Sequence, residues 1–553
     1  MLAKTLMIQG TCSHVGKSVI VAALCRIFKQ DGIRVAPFKS QNMALNSYVT
    51  KEGLEMGRAQ VVQAQAAGLD PVVEMNPILL KPSADKVAQV IVMGRPIGNM
   101  SAVNYHQYKP FLLDTVAKAL EKLREEYELV IIEGAGSPAE INLADRDIAN
   151  MRIAEMADAP VILVGDVDRG GVFAFLVGTL ELLSSTERAR IRGFLINKFR
   201  GDVGLLEPGL AWLEDKTKIP VVGVIPYYRE LGLEEEDSVP LENFIGLGRQ
   251  LLNASLVPND NVDIAVIYLP HISNFTDFDA LSREKGVHVR YVASPESFGS
   301  PDLIIIPGSK STISDLGYLK NTGLAELIIQ AAEKAIPVIG ICGGYQMLGR
   351  KIRDPHHAES NQEEMEGLGL LDVETVFSAE KTTSQVTFQI IGGWPPLLPK
   401  MVDLPKMMEE PGYLSGGRKV PLEGYEIHMG TTRRGPGASP LFKIKRKGEE
   451  RELEDGAVNQ NTLVWGTYVH GIFDNDVFRR VLIQFLKERK GLRSEPLSAA
   501  RAEDRLSWGR YKEESYDRWA EVVRQSVRMD LLYGLTSLKP KWSWHSLSSD
   551  GTI

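Results

Sequence analysis

The sequence predicts an α/β chain of two doubly wound domains, each a parallel sheet with helices on its faces, and three observations carry that expectation. Apolar runs of strand length alternate with helix-period segments in two series, one from Lys4 to Ile225 and one from Val262 to His470. Between them lies an acidic, apolar-poor run, Glu234-Glu235-Glu236-Asp237-Ser238. Each series also contains a strand that ends in a glycine-bounded turn before a helix, at Gly10 to Ser18 and again at Cys342. At 553 residues the chain exceeds one hydrophobic core. The expected division is 1–235, a linker 236–260, a second domain 261–490, and a C-terminal extension 491–553 with a helix near Tyr516 to Leu532 and a loose tail. With 44% hydrophobic and 24% charged residues and no apolar run long enough to span a bilayer, the composition is that of a soluble protein. The apolar part of the N-terminus is too short for a signal peptide, so the cytoplasm is the expected location. Three cysteines are too few and too scattered for a disulfide framework or a four-ligand zinc site. A net charge of −8 weighs against nonspecific nucleic-acid binding, and neither a nucleic acid nor a membrane is expected as a partner.

In the first series Lys4 to Gln9 reads as a buried strand. Gly10-Thr11-Cys12-Ser13-His14-Val15-Gly16-Lys17-Ser18 follows, and then a helix with apolar periodicity through Val19, Ala22, Ala23, Ile27 and Phe28. Strand, glycine loop and helix in that order make a phosphate loop. Backbone N–H groups of Gly10, Thr11 and Gly16 would cradle phosphates at the helix N-terminus, Lys17 would meet the β/γ-phosphates of ATP, and the Ser18 hydroxyl would ligate Mg²⁺. The loop departs from the usual spacing, with five residues rather than four between Gly10 and Gly16. The strand Arg34 to Phe38 ends at Lys39, a second candidate for nucleotide or substrate charge, with a solvated lysine as the alternative. Glu74 to Pro82 and Gly94 to Ser101 read as long irregular connections, which commonly carry binding. After a helix from Phe111 to Tyr127, the strand Leu129 to Ile132 ends in Glu133 before a run of glycines, a suitable carboxylate for Mg²⁺ beside Ser18. Strands Pro160 to Asp166 and Gly193 to Lys198 also end in polar residues; Asp166 and Asp168 read equally well as turn residues. Val221 to Ile225 is the last strand of the series.

The second series restarts at Val262 to Ile267. Leu303 to Ile306 feeds a turn, Pro307-Gly308-Ser309-Lys310-Ser311, whose N–H groups, with that of Gly343, could face an oxyanion. Pro337 to Ile341 then stops at Cys342-Gly343-Gly344 and resumes with helical spacing. Such an elbow projects one side chain from the sheet edge, and a cysteine there sits at a helix N-terminus, which favours thiolate. Further on, Leu463 to Val469 ends in His470, a general base of the kind a thiol nucleophile needs.

These motifs carry a resemblance. The second domain is similar to class I glutamine amidotransferase domains, with a flavodoxin-like sheet, which implies that Cys342 attacks the carboxamide of L-glutamine and releases ammonia. The first resembles the dethiobiotin synthetase-like P-loop ATPases, in which an amide at the position of Asn197 meets the adenine. That pairing, with Met75 to Pro82, Asn99 to Ala102, Pro307 to Thr312 and Gly424 to Gly430, resembles the cobyric acid synthases. The resemblance implies ATP-dependent amidation of four peripheral carboxylates (b, d, e and g) of a corrinoid, adenosylcobyrinic a,c-diamide. Cobyrinate a,c-diamide synthase is the alternative enzyme, and a partition-type regulatory ATPase is the non-catalytic one. Many amidotransferases carry a glutamate two residues after the histidine to orient it; Ile472 stands there, and Glu426 and Asp474 are the alternatives. His428 could shape the glutamine pocket or pack in the core.

Overall fold

A computed structural model describes residues 2–84, 87–228, 231–234, 260–391, 422–492 and 507–541. Most of the expected linker and most of the tail lie outside the described residues. The chain forms two compact units, and both are discontinuous in sequence: one holds Met1–Ala44, Glu55–Glu234 and Arg510–Ile553, the other Leu45–Leu54 and Glu235–Gly509.

The first unit is built on six strands, β1 (Lys4–Gly10), β2 (Val35–Phe38), β3 (Leu129–Glu133), β4 (Val161–Asp166), β5 (Ile191–Phe199) and β6 (Val221–Pro226), in the order β6-β5-β4-β1-β3-β2. All of these pairings are parallel. Residues of β2, β3 and β4 are buried without alternation, as a sheet covered on both faces requires. Register sets the chemistry at one edge. Ile8 pairs with Glu133, and Gly10 with Val164, so the carboxylate and the glycine loop emerge from neighbouring strand ends. Helix α1 (Lys17–Gln30) begins after Gly16 at φ 97°, a left-handed turn that suits glycine.

Two stretches expected as irregular connections are strands instead. Gln41–Met43, Ile78–Ala84, Val87–Val92 and Arg95–Ser101 form a second sheet of four strands. Its last hairpin closes at Met93-Gly94, both at positive φ (46° and 75°), the two-residue geometry that matches strand twist. The following helix starts at Ala102, well before the expected Phe111, capped by the Ser101 hydroxyl, which accepts from Asn104 N at 3.2 Å. It runs through Pro110, which cannot donate to the carbonyl of His106; the Arg146 guanidinium donates to that oxygen instead, at 3.3 Å.

The C-terminal extension belongs to this first unit. Helix Trp508–Ser526 sends Trp519 and Ala520 into the core shared with Ile20 and Leu24 of α1. Trp519 Nε1 donates to Val19 O at 2.7 Å, and Arg26 pairs with Glu513 and Asp517 at 2.8 and 2.7 Å. A second helix, Met529–Thr536, follows where one terminal helix was expected.

In the second unit β7 (Val262–Ile267), β8 (Val287–Val292), β9 (Leu303–Ile306), β10 (Val338–Ile341) and β11 (Val464–Thr467) run parallel in the order β8-β7-β9-β10-β11, with Ala457–Asn459 and Ala438–Ser439 added antiparallel. Val373–Ile390 and Leu422–Arg434 form a long antiparallel ladder that also pairs Tyr425 with His470. The segment Leu45–Leu54 is seated on this unit: Thr383 donates to Gly53 O at 2.7 Å, and Gln385 donates to Val49 O.

Candidate active sites

At the end of β1 and β3, one compact set of side chains gathers around Glu133, which is 1% exposed. Ser18 Oγ donates to its Oε1 at 2.8 Å, Lys39 Nζ lies 2.9 Å from the same oxygen, and Gln63 Nε2 donates to Oε2 at 2.6 Å. Burial alone would push this carboxyl up; the Lys39 charge and these hydrogen bonds outweigh it and hold it below the usual range. Gln60 adds a longer bond to Oε2 at 3.4 Å. Neither glutamine was singled out from sequence, although Gln60 and Gln63 sit three apart on one helix face. Lys17 Nζ donates to Cys12 O and Gly136 O at 3.1 and 3.0 Å, across the mouth of the loop. Thr11 N donates to Val164 O at 2.9 Å, tying the loop to β4. Asn197 Nδ2 donates to Val15 O at 2.7 Å, and a Cβ on Gly16 would fall 2.3 Å from that nitrogen. A Cβ on Gly10 would come within 2.5 Å of Val15 Cγ2 and 3.1 Å of Lys17 Nζ, so the loop closes only around glycine. Asp166 and Asp168, left open by sequence, pair with Lys198 and Arg200 at 2.8 and 2.7 Å.

The donor set fits Mg²⁺. Ser18 Oγ and Glu133 Oε1 are hard oxygens 2.8 Å apart, close to the separation of about 3.0 Å between adjacent ligands of an octahedron with bonds of about 2.1 Å. Among the described residues no cluster of three or more His, Cys, Asp or Glu forms a metal cage, so phosphate and water oxygens would complete the shell. Beside the loop opens a cavity of about 1420 Å³, whose walls include Ser13, Gly136, His106, Lys109, Arg146 and Arg152.

In the second unit Cys342 has φ 51° and ψ −108° and sits immediately before the helix Gly343–Leu348. A non-glycine residue at positive φ is costly and persists where the surroundings impose it. Here crowding imposes it. A Cβ on Gly344 would lie 2.0 Å from Ile306 O, and one on Gly343 2.9 Å from Ser309 N, so the elbow is pressed against the turn at Gly308. Gly308 itself pairs with Ser273, and a Cβ there would meet His470 Cε1 at 3.3 Å. The structure therefore gathers Cys342, Gly343, Gly308 and His470 at one place.

His470 Nδ1 lies 2.6 Å from Asp277 Oδ2, and the other oxygen of Asp277 accepts from Gly471 N at 3.2 Å. Burial would lower the imidazole; the charge and hydrogen bond of Asp277, reinforced by Cys342, outweigh it and raise it to about 10. Among the described residues Nε2 has no hydrogen-bond partner, so it is the nitrogen left for the thiol or a substrate. Asp277, not Glu426 or Asp474, thus orients the histidine. It comes from a 3₁₀ turn, Phe275–Phe278, in a part of the chain that sequence reading passed over. Glu426 is engaged with Arg446 at 2.7 Å and His428 at 3.5 Å, and the His428 ring stacks on Tyr468 with centroids 3.7 Å apart. Gln346, one helical turn after the cysteine, donates to Met429 O and Tyr468 Oη, both at 3.0 Å.

Comparison with known proteins agrees with both halves. Residues 6–241 match the CobQ/CobB/MinD/ParA nucleotide binding domain family, and residues 263–478 the CobB/CobQ-like glutamine amidotransferase domain family. Cobyric acid synthase of Pelotomaculum thermopropionicum is 51% identical over 542 residues, covering 97% of both chains. Those of Dehalococcoides mccartyi strain CBDB1 and Yersinia enterocolitica are 52% and 49% identical, covering 97% and 96% of this chain and 99% and 98% of theirs. Among solved structures the similarity is weak. A glutamine amidotransferase is 17% identical with a TM-score of 0.28, covering 41% of this chain and 99% of that one, and PurLQS from Thermotoga maritima is 15% identical with a TM-score of 0.26, covering 47% and 99%. With half of its residues shared along nearly its whole length and both domains in the same order, the chain belongs to the cobyric acid synthase family, ligases that join a nucleotide-binding domain to a glutamine amidotransferase domain.

Proposed function

We propose that this protein amidates the b, d, e and g carboxylates of adenosylcobyrinic a,c-diamide to give cobyric acid, working in the cytoplasm with ATP, Mg²⁺ and L-glutamine. The observation that carries the reading is the coexistence in one chain of a thiol–imidazole–carboxylate set at an elbow and a phosphate loop backed by a buried lysine–carboxylate pair.

In the glutaminase half, the Cys342 thiolate adds to the carboxamide carbon of glutamine while N–H groups near Gly308 and Gly343 receive the oxyanion. His470, held by Asp277, gives a proton to the departing ammonia; it then takes one from the water that hydrolyses the thioester to glutamate. In the synthetase half an ionised carboxylate resists attack by ammonia, so it is first converted to an acyl phosphate. The carboxylate oxygen displaces ADP from the γ-phosphorus, ammonia adds to the activated carbonyl, and phosphate leaves. Lys17 would neutralise charge on the transferring group; its acceptors include two backbone carbonyls that phosphate oxygens can replace. Ser18 and Glu133 would hold Mg²⁺, which when bound neutralises phosphate charge. Lys39 keeps Glu133 ionised, and the Asn197 amide would meet the adenine. The cavity beside the loop supports a large acceptor: at about 1420 Å³ it exceeds the range of about 300–1,000 Å³ usual for small-molecule pockets, and its walls carry both cations (Lys109, Arg146, Arg152, Arg190) and carboxylates (Glu140, Asp145, Asp147, Glu155, Glu187).

The test is mass spectrometry of products from the purified protein with each corrinoid, ATP and glutamine, run beside Cys342→Ser with concentrated ammonium salt. Four mass steps of amidation from the a,c-diamide are expected, with Cys342→Ser active on ammonia only. Amidation of the ring's a and c carboxylates instead would select the diamide synthase, and no amidation of any corrinoid would sink the reading.

A further inference from the structure

The second unit contains a strap drawn from the N-terminal part of the sequence, Leu45–Leu54, and the strap touches the histidine's supports from two directions. The first is Asn274. Its Nδ2 donates to Ser47 O at 3.1 Å and to Tyr425 Oη at 2.8 Å, and its Oδ1 accepts from Ser47 N at 3.4 Å. Tyr425 Oη donates in turn to Ser47 O at 3.4 Å. The Tyr425 ring then lies parallel to the His470 imidazole, with centroids 5.3 Å apart and planes inclined by 17°. The second direction is Asn46, whose Oδ1 accepts from Phe275 N at 3.0 Å. That N–H opens the 3₁₀ turn that carries Asp277. Asn46, Ser47, Asn274 and Tyr425 are each at most 3% exposed, so these bonds are made out of water, where a lost partner is costly. Asn274 also sits at φ 52°, a conformation its side-chain bonds help to hold.

The two asparagines satisfy buried backbone groups of Ser47 and Phe275 that apolar side chains would leave unpaired. A polar clamp that ends on the tyrosine stacked against one histidine and on the turn that carries its carboxylate partner fixes an orientation. We propose that Asn46, Asn274 and Tyr425 are positioning residues of the glutaminase, and that the strap sets the angle at which His470 meets Cys342 and glutamine. This rests on the glutaminase reading above but is separable from it.

The experiment uses the full chain with Asn274→Gly, Asn46→Ala and Tyr425→Phe. Glycine accepts φ 52° without strain, so Asn274→Gly removes the three side-chain bonds and leaves the backbone at ease. Three quantities are read: kcat and KM for glutamine hydrolysis, the pH profile of Cys342 alkylation by iodoacetamide, and amidation with ammonium salt. Asn274→Gly is expected to lower kcat about 30-fold or more with KM within about threefold, because misalignment acts on the transition state rather than on binding. The alkylation midpoint should move in the same variant, ammonia-dependent amidation should stay within about twofold, and Asn46→Ala and Tyr425→Phe should show smaller losses of the same kind. A kcat within twofold of wild type in both asparagine variants overturns the proposal. So does a parallel fall of both activities with a lowered melting temperature, which would make the strap structural only. If the wild type itself hydrolyses no glutamine, it is the glutaminase reading that fails.

Discussion

Substituting Gly344 by alanine tests the elbow most directly. The added Cβ would lie 2.0 Å from Ile306 O, 2.6 Å from Ile306 C and 2.8 Å from Pro307 O, where ordinary contact begins at 3.4 Å. The elbow and the end of β9 must therefore part by about 1.4 Å, the difference between 2.0 and 3.4 Å. Backbone atoms stand on the β9 side and the new Cβ has no torsion of its own, so no change of rotamer relieves the overlap. In stability the change is moderate: alanine gains about 1 kcal/mol over glycine inside a helix, while overpacking costs about 1–3 kcal/mol. In function it is large, because a misplacement of about 1 Å can cost about 10²-fold in rate. Glutamine hydrolysis, followed by glutamate release, should fall about 100-fold or more, while ammonia-dependent amidation stays within about twofold. Gly343→Ala, whose Cβ would meet Ser309 N at 2.9 Å and the movable Thr312 Oγ1 at 3.1 Å, should lose less. Gly509→Ala, with nothing within 4 Å among the described residues, should lose nothing. Glutamine hydrolysis within threefold of wild type in Gly344→Ala would refute the reasoning.

Other expectations concern both units. Lys17→Ala should abolish amidation with either nitrogen source; more than a few per cent of the wild-type rate would mean that the phosphate-loop assignment is wrong. Asp277→Asn should depress glutaminase turnover and lower the melting temperature in a pH-dependent way. His470 is raised from 6.5 to about 10 in the folded protein, so the stability it lends is complete below pH 6.5 and disappears as pH rises through 10. The melting difference between wild type and Asp277→Asn should shrink along that interval, and a difference that grows toward pH 10 would contradict the pairing. Trp519→Ala should cost about 3–5 kcal/mol, the usual range for a buried tryptophan. Denaturant unfolding should detect that loss together with weakened nucleotide binding.

How much of this was readable in advance depended on whether the determinant was local. The glycine loop and the cysteine elbow are encoded within a dozen residues each, because a turn that only glycine can make leaves its mark at fixed spacing. Glu133 was legible because a strand end followed by glycines places one carboxylate at the sheet edge. Asp277 was not. It stands 193 residues before His470, on a short 3₁₀ turn without periodicity, and only the fold brings them to 2.6 Å. Glu426 looked equally good from sequence but is spoken for by Arg446. The four-stranded sheet around Met93-Gly94 reads as irregular from sequence because its strands Ile78–Ala84 and Arg95–Ser101 carry Pro82, Pro96 and Gly98, which suggest breaks unless the positive-φ turn is known. The C-terminal helix was recognised as a helix, yet only its contacts with α1 assign it to the first unit.

The interleaved course of the chain bears on how such an enzyme could be divided by gene fission. A cut in the acidic run after residue 234 would leave the N-terminal fragment holding the strap that belongs to the glutaminase, while the C-terminal fragment carried away Trp519 and the helix that seals α1. Each product would lack a piece of its own core and display the other's. Two genes encoding these activities as free subunits would therefore need the strap duplicated and the terminal helix relocated, and by its routing alone the polypeptide resists separation into a glutaminase and a synthetase.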